Sequence, residues 1–129
     1  MSTNNILDTF AEIIFQLQEI SGNQIDLEKL NNTEEKLQDI LFQLNFELVN
    51  AQRQKNWEKV NKFQRAVSEC KLTLDRVRAA IINVSIIGIN PKNLAQMQKI
   101  LEEIETARKT QVNIDLAIRL LGFLRKLFL

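Results

Sequence analysis

The sequence has no histidine and no tyrosine, and its 129 residues include one cysteine, one proline, one tryptophan and three glycines. The lack of histidine removes the commonest general base and the Glu-x-x-His ligand motif of di-metal helical bundles. A single cysteine excludes an intramolecular disulfide and is typical of a reducing compartment. We therefore expect no cofactor, no metal and no enzymatic activity.

The scarcity of glycine and proline also argues against a β-sheet, which needs turn residues at short intervals. The three glycines, Gly22, Gly88 and Gly122, are isolated, so none belongs to a glycine-rich loop that could cradle a phosphate. The chain has no run of about 20 uncharged apolar residues, and its first residues lack the basic segment of a secretory signal. The sequence predicts one all-α domain over residues 1–129, located in the cytoplasm.

Apolar residues recur every three or four positions along most of the chain, which is typical of amphipathic helices packed around a core. Asn32 and Glu35 have the spacing of a capping box at the start of one helix. Asn90-Pro91 predicts the start of the last helix, which is either one helix or two nearly collinear helices divided near Thr110. The pattern predicts an antiparallel bundle of four helices, over about residues 5–21, 33–51, 57–87 and 91–127.

The boundary between the second and third helices depends on a change of register, because no glycine or proline separates them. The apolar row of the second helix, continued by sevens from Ala51, reaches Glu58 and Arg65, which are both charged. An unbroken helix would therefore carry apolar stripes on opposite sides. A turn within residues 52–56, with Asn56 capping the third helix, is the simpler interpretation. The alternative is one continuous helix that is shared with a second chain.

Charge is distributed unevenly along the chain. Residues 1–50 carry a net charge of −7, residues 51–82 one of +5 and residues 83–129 one of +3. The simplest interpretation is that the acidic part packs beside the basic part. The alternative is a basic face on the third helix that binds nucleic acid or another acidic partner, although the pI of about 7.8 is low for such a domain. The candidate residues of this face are Arg53, Lys55, Lys59, Lys62, Arg65, Arg76 and Arg78.

Residues 112–129 are unusually apolar for a surface helix, with 12 apolar side chains among 18. A helix over residues 91–127 would be about 55 Å long, so its C-terminal end has to overhang the bundle, bend back over it or meet another subunit. We expect it to overhang and to self-associate. The alternative is an amphipathic helix on a membrane surface, with Arg119, Arg125 and Lys126 near the lipid headgroups. The candidate interface residues are Ile114, Ile118, Leu121, Phe123, Leu124 and Phe128.

Single residues of chemical interest have structural explanations. Cys70 lies in a core row of the third helix, where a thiol behaves as a small hydrophobe of low reactivity. The pair Glu102/Glu103 lies outside the apolar rows and is expected to be solvated, and Trp57 either packs the preceding turn or is an exposed contact residue. The sequence therefore predicts a non-enzymatic interaction or assembly protein that forms a homo-oligomer, with a second protein partner also open. Binding of nucleic acid and binding to a membrane surface remain the alternatives.

Overall fold

The computed structural model of the chain describes residues 3–18, 24–25, 27–83, 87–88, 91–109 and 114–127. Its five helices are α1 (Thr3–Gln18), α2 (Leu27–Arg53), α3 (Trp57–Ile82), α4 (Pro91–Lys109) and α5 (Ile114–Leu127). The predicted all-α class is confirmed. The only other regular structure in the described part is one antiparallel pairing of two short strands, β1 (Gln24–Ile25) and β2 (Ile87–Gly88).

α2 and α3 form an antiparallel hairpin, and their contact is the most extensive between any two helices. The thiol of Cys70 donates to the carbonyl oxygen of Leu37 at 3.5 Å. Further along, the Nε atom of Arg78 lies 2.9 Å from the carboxylate of Glu34. Residue numbers therefore increase along α3 in the direction in which they decrease along α2, as in an antiparallel pair. The α2 side of this contact is a buried heptad row formed by Leu30, Leu37, Leu44 and Ala51.

The turn between α2 and α3 lies where the change of register predicts it. Lys55 is left-handed, with a φ of 57°. Its N–H donates to the carbonyl oxygen of Gln52 at 3.1 Å, and the N–H of Asn56 donates to that of Ala51 at 3.0 Å. This pair of bonds is a Schellman motif, which ends α2. Asn56 then caps α3, because its side-chain oxygen accepts from the N–H of Lys59 at 3.3 Å.

The predicted start of the second helix near residue 33 is wrong. α2 begins at Leu27, and its additional turns bury Leu30 and Thr33 completely. The hydroxyl of Thr33 donates to the carbonyl oxygen of Lys29 at 2.8 Å, so Asn32 lies inside the helix and does not cap it. The free energy gained by burying these side chains outweighs the weak helix propensity of consecutive asparagines.

The ends of the other helices also differ from the prediction. α3 ends at Ile82 and not near residue 87, because Ile87 pairs with Ile25 in the two-stranded sheet. α1 ends at Gln18, and its predicted end at residue 21 lies outside the described residues. α4 begins at Pro91, as predicted, while its predicted cap Asn90 lies outside the described residues.

The last predicted helix is two helices, α4 and α5, which agrees with the alternative of a division near Thr110; residues 110–113 between them lie outside the described residues. The two are not collinear. A guanidinium nitrogen of Arg119 lies 2.5 Å from the carboxylate of Glu103, whereas the same 16 residues in one straight helix would span about 24 Å. The chain therefore reverses between α4 and α5.

The reversal places α5 over the core, where it packs on α3 and α1 and does not overhang. Lys62 of α3 is 3.4 Å from Asp115 near the start of α5, and the hydroxyl of Thr73 is 3.1 Å from the carbonyl oxygen of Leu121 further along both helices. α3 and α5 therefore run in the same general direction. In the described part of the chain, five helices stand where four antiparallel helices were expected, because the last predicted helix is divided and α5 folds back onto the core.

Candidate interaction surfaces

The apolar side of α5 is covered by the chain itself. Leu121 and Leu124 are 0% exposed, while Ile114, Ile118 and Phe123 are half-buried and packed against the same core. Phe128, the sixth residue of the predicted interface, lies outside the described residues. While α5 stays packed, neither a second subunit nor a bilayer can reach Leu121 and Leu124. In the described part of the chain, no helix has the length and hydropathy needed to cross a membrane.

The seven basic residues predicted to form one face of α3 do not lie on one face in the structure. Arg78 is paired with Glu34 of α2, and Lys62 is paired with Asp115 of α5. At 100° per residue, Arg78 lies about 140° around α3 from Arg65. Arg53 ends α2 and Lys55 lies in the turn, so neither belongs to α3. All but Lys62 are exposed; these six are Arg53, Lys55, Lys59, Arg65, Arg76 and Arg78.

Basic residues do converge in another place, a half-open cleft of about 740 Å³ between α4 and the pair α3 and α5. Only Arg65 is shared with the predicted basic face. The sequence signal for the others was the net charge of +3 over residues 83–129. The charged side chains that line the cleft are Arg65, Lys92, Lys99, Arg119, Arg125 and Lys126, together with Glu69 and Glu103.

Two of the six basic residues in this cleft are neutralised by its carboxylates. Arg119 pairs with Glu103 at 2.5 Å, and Arg125 pairs with Glu69. The other four, Arg65, Lys92, Lys99 and Lys126, are exposed and form no ion pair with another described residue. Among the described residues, the cleft therefore holds four positive charges that no carboxylate pairs with. Its apolar lining is formed by the buried Leu116, Leu120 and Leu127 and the half-buried Ile100, Ile118 and Phe123.

A second surface lies on α2, where Phe42, Phe46 and Val49 are 67%, 44% and 43% exposed. Spacings of four and three place them on one stripe, roughly opposite the buried row that contains Leu37 and Leu44. We call this stripe the α2 apolar row. This row is not among the surfaces predicted from the sequence, although two phenylalanines one helical turn apart and outside the core seam were the available signal.

Charged residues flank the α2 apolar row symmetrically. Asp39 precedes Phe46 by seven residues and Arg53 follows it by seven, and both are exposed. Seven residues are close to two helical turns, so Asp39, Phe46 and Arg53 lie within about 20° of one line along the helix. The exposed face of α2 is thus acidic before the row and basic after it.

The remaining reactive group is Cys70, which is 0% exposed. Burial raises the pKa of its thiol from 9.0 to about 12, because the charged thiolate would lose its hydration. A thiol that holds its proton at neutral pH is a poor nucleophile. Among the described residues, no group of three or more His, Cys, Asp or Glu side chains could hold a metal ion.

No protein-family model matches the sequence, and no curated protein or solved structure matches it either. Function has to be inferred from the two surfaces, the basic cleft and the α2 apolar row.

Proposed function

We propose that the protein is a non-enzymatic interaction protein that assembles with a second copy of itself through the exposed face of α2. The supporting observation is the α2 apolar row, in which Phe42, Phe46 and Val49 face solvent from the side of the helix that does not pack on the core. Apolar surface in water has an unfavourable free energy, which decreases when a partner covers it. This proposal keeps the self-association predicted from the sequence and assigns it to α2 in place of the C-terminal helix.

Charge complementarity favours a second copy as the occupant of this face. Two α2 helices that pair antiparallel about a two-fold axis at Phe46 bring Asp39 of each copy opposite Arg53 of the other. The symmetry makes two opposite-charge contacts from one pair of residues. A parallel pairing would place Asp39 beside Asp39 and Arg53 beside Arg53, and like charges at that distance repel. The charge order therefore selects one orientation as well as one partner.

The same axis also aligns the apolar residues. The two Phe46 side chains meet at the axis, where an aromatic pair adds about 0.5–1.5 kcal/mol to the effect of buried area. Phe42 of each copy lies close to Val49 of the other, because 42 and 49 are nearly equidistant from 46. The contact from Asp39 to Arg53 extends over about 21 Å of helix.

The first test is the mass of the protein in solution. We expect light scattering at 100 µM or so to give twice the mass of one chain. Phe46→Asp should give monomers, because it places two like charges at the axis. Leu72→Asp is the matched control, since Leu72 is 49% exposed on α3 and lies outside the α2 row. A wild-type protein that stays monomeric, or a Phe46→Asp variant that stays dimeric, contradicts the proposal.

The second test addresses the register. Asp39→Arg and Arg53→Asp should each weaken the dimer, and the double variant should restore it because the two contacts re-form with reversed sign. In addition, Phe46→Cys should form an intermolecular disulfide under mild oxidation, while Leu72→Cys should not. Cys70 does not interfere, because it is buried. If the protein is a dimer but the double variant does not restore it and Phe46→Cys forms no disulfide, the antiparallel register is excluded. The α2 face could then still be the contact surface.

A further inference from the structure

We infer that the cleft between α4 and α5 is a binding site for a single-chain anionic amphiphile, a molecule with one acyl chain and a carboxylate or phosphate head group. The inference is independent of the proposed self-association, because the cleft is formed by α3, α4 and α5 and the α2 row does not contribute to it.

The charges of the cleft require an anionic ligand. After the pairs with Glu69 and Glu103 are formed, four positive charges remain around one concave surface, and they come from three different helices. Converging like charges raise the electrostatic potential of a cleft above that of a flat surface with the same residues. An anion that enters lowers this repulsion. The Lys and Arg side chains keep their own solvation at the rim, so the site does not require a buried charge.

The apolar lining requires a chain in addition to the anion. The half-buried Ile118 and Phe123 of α5 and Ile100 of α4 supply the accessible apolar surface of the cleft. The buried Leu116, Leu120 and Leu127 also line it but expose little surface of their own. Between the two helices lies a space of about 740 Å³ that no described side chain fills. This volume is in the range of small-molecule sites, which are commonly about 300–1,000 Å³. Inorganic phosphate or a bare carboxylate would leave that apolar surface wet.

The positions of the charges give the ligand an orientation. Arg119 and Glu103 join the two helices on the side of the cleft nearer the α4–α5 connection. Lys92 lies at the start of α4 and Lys126 at the end of α5, which are the ends remote from the connection. The head group therefore binds between Lys92 and Lys126, and the acyl chain lies along Phe123 and Ile100.

Nucleic acid fits this cleft less well than an amphiphile. A phosphate backbone is bound by cations along an exposed surface, whereas here the cations surround an apolar depression with one aromatic side chain, Phe123. A membrane surface fits less well too, because the leucines of α5 face inward and do not project from the molecule.

The test is calorimetric titration of the full-length chain with dodecanoate and with dodecyl phosphate, each below its critical micelle concentration. We expect both to bind with one site per chain. Inorganic phosphate and dodecyltrimethylammonium should bind at least about tenfold more weakly, since each lacks one of the two recognised parts. Equal binding of the cationic detergent, or binding of a short oligonucleotide without binding of either anionic amphiphile, would overturn the inference.

Gly122 provides a variant that fills the cleft without disturbing the core. It lines the cleft, and a Cβ atom at this position meets nothing within 4 Å. Gly122→Leu should therefore reduce dodecanoate affinity by about tenfold or more, while the Tm stays the same or rises, because leucine favours a helix over glycine. Unchanged affinity in this variant contradicts the site.

The head-group position has its own variants and control. Lys92→Gln combined with Lys126→Gln should weaken both anionic probes by about tenfold. Lys71→Gln combined with Arg76→Gln removes the same charge from exposed positions outside the cleft and should leave the affinity unchanged. Equal losses in the two double variants would indicate a general charge effect and would exclude a head-group site. Phe46→Asp should bind the probes like the wild type, which separates this site from the α2 face.

Discussion

The hydroxyl oxygen of Thr73 lies 3.1 Å from the backbone carbonyl oxygen of Leu121, and this contact joins the middle of α3 to the middle of α5. The same hydroxyl lies 2.9 Å from the carbonyl oxygen of Glu69 in its own helix. Its one proton is therefore donated to one of two carbonyl oxygens. Thr73 is 0% exposed, so the two acceptors explain how a polar side chain is accommodated in the apolar contact between α3 and α5.

Thr73→Val should lower the free energy of unfolding by about 1 kcal/mol, the usual net value of one buried hydrogen bond. Valine has nearly the shape of threonine, so packing is preserved. Thr106→Val is the control, because Thr106 is exposed and, among the described residues, its hydroxyl bonds to the carbonyl oxygen of Glu102 in its own helix alone, at 3.1 Å. Urea denaturation measures both. Equal losses would mean that the contact between α3 and α5 contributes nothing of its own.

The sequence predicts the helical class and the α2–α3 turn because both depend on local pattern. Apolar spacing fixes which face of each helix is buried, and the change of register after Ala51 requires a turn before Val60. The reversal between α4 and α5 is different. The apolar stripe that includes Ile104 and Leu121 continues across this segment without glycine or proline, so a straight helix and a folded one have the same local pattern. Only long-range packing on α3 decides between them.

Neither the cleft nor the α2 apolar row could be predicted from the sequence, and the reasons are related. Arg65 and Lys126 line one cleft although 61 positions separate them, and they meet only because the chain reverses. The charge of +3 over residues 83–129 indicated an excess of cations but not their location. Phe42 and Phe46 stand outside the core seam of α2, yet a bundle with one more helix would have covered them. Their exposure follows from the number of helices that pack on α2.

Two neighbouring apolar residues of α5, Phe123 and Leu124, differ in how deeply they are buried. Leu124 is 0% exposed, and Phe123 is half-buried at the cleft. Leu124→Ala should therefore cost about 2–5 kcal/mol of stability, the range for a large-to-small change in a core. Phe123→Ala should cost clearly less, because part of its ring already faces water. If the two losses were reversed in size, α5 would be packed with a different face inward.

The left-handed conformation of Lys55 predicts a stabilising substitution. A residue with a side chain pays about 1–2 kcal/mol for that conformation, and glycine avoids this strain at some cost in unfolded-state entropy. Lys55→Gly should therefore raise the free energy of unfolding by about 0.5–1 kcal/mol. Gln64→Gly is the opposite control, since Gln64 is exposed in the interior of α3 and should lose about 1 kcal/mol. A loss of stability in Lys55→Gly would contradict the Schellman turn.

The buried thiol of Cys70 predicts how stability depends on pH. The pKa is 9.0 when the thiol is solvated and about 12 in the folded protein. Below pH 9 both states hold the proton, so this group leaves stability independent of pH. Between pH 9 and 12 the unfolded chain releases the proton and the folded chain keeps it, so stability falls by up to about 1.4 kcal/mol per pH unit. Lysines also titrate in this range, and a reference variant is needed to separate them.

Cys70→Ala is that reference, because it retains every lysine and removes only the thiol. Alanine leaves a small cavity, so the variant is expected to be less stable at neutral pH. The test compares how the unfolding free energy of the two proteins depends on pH. The difference between wild type and Cys70→Ala should be constant from pH 7 to 8.5 and should shrink above pH 9. A difference that stays constant to pH 10.5 would show that Cys70 is solvated in the folded protein. In that case iodoacetamide would also alkylate the native protein at the rate of a free thiol, whereas a buried thiol reacts only after the bundle opens.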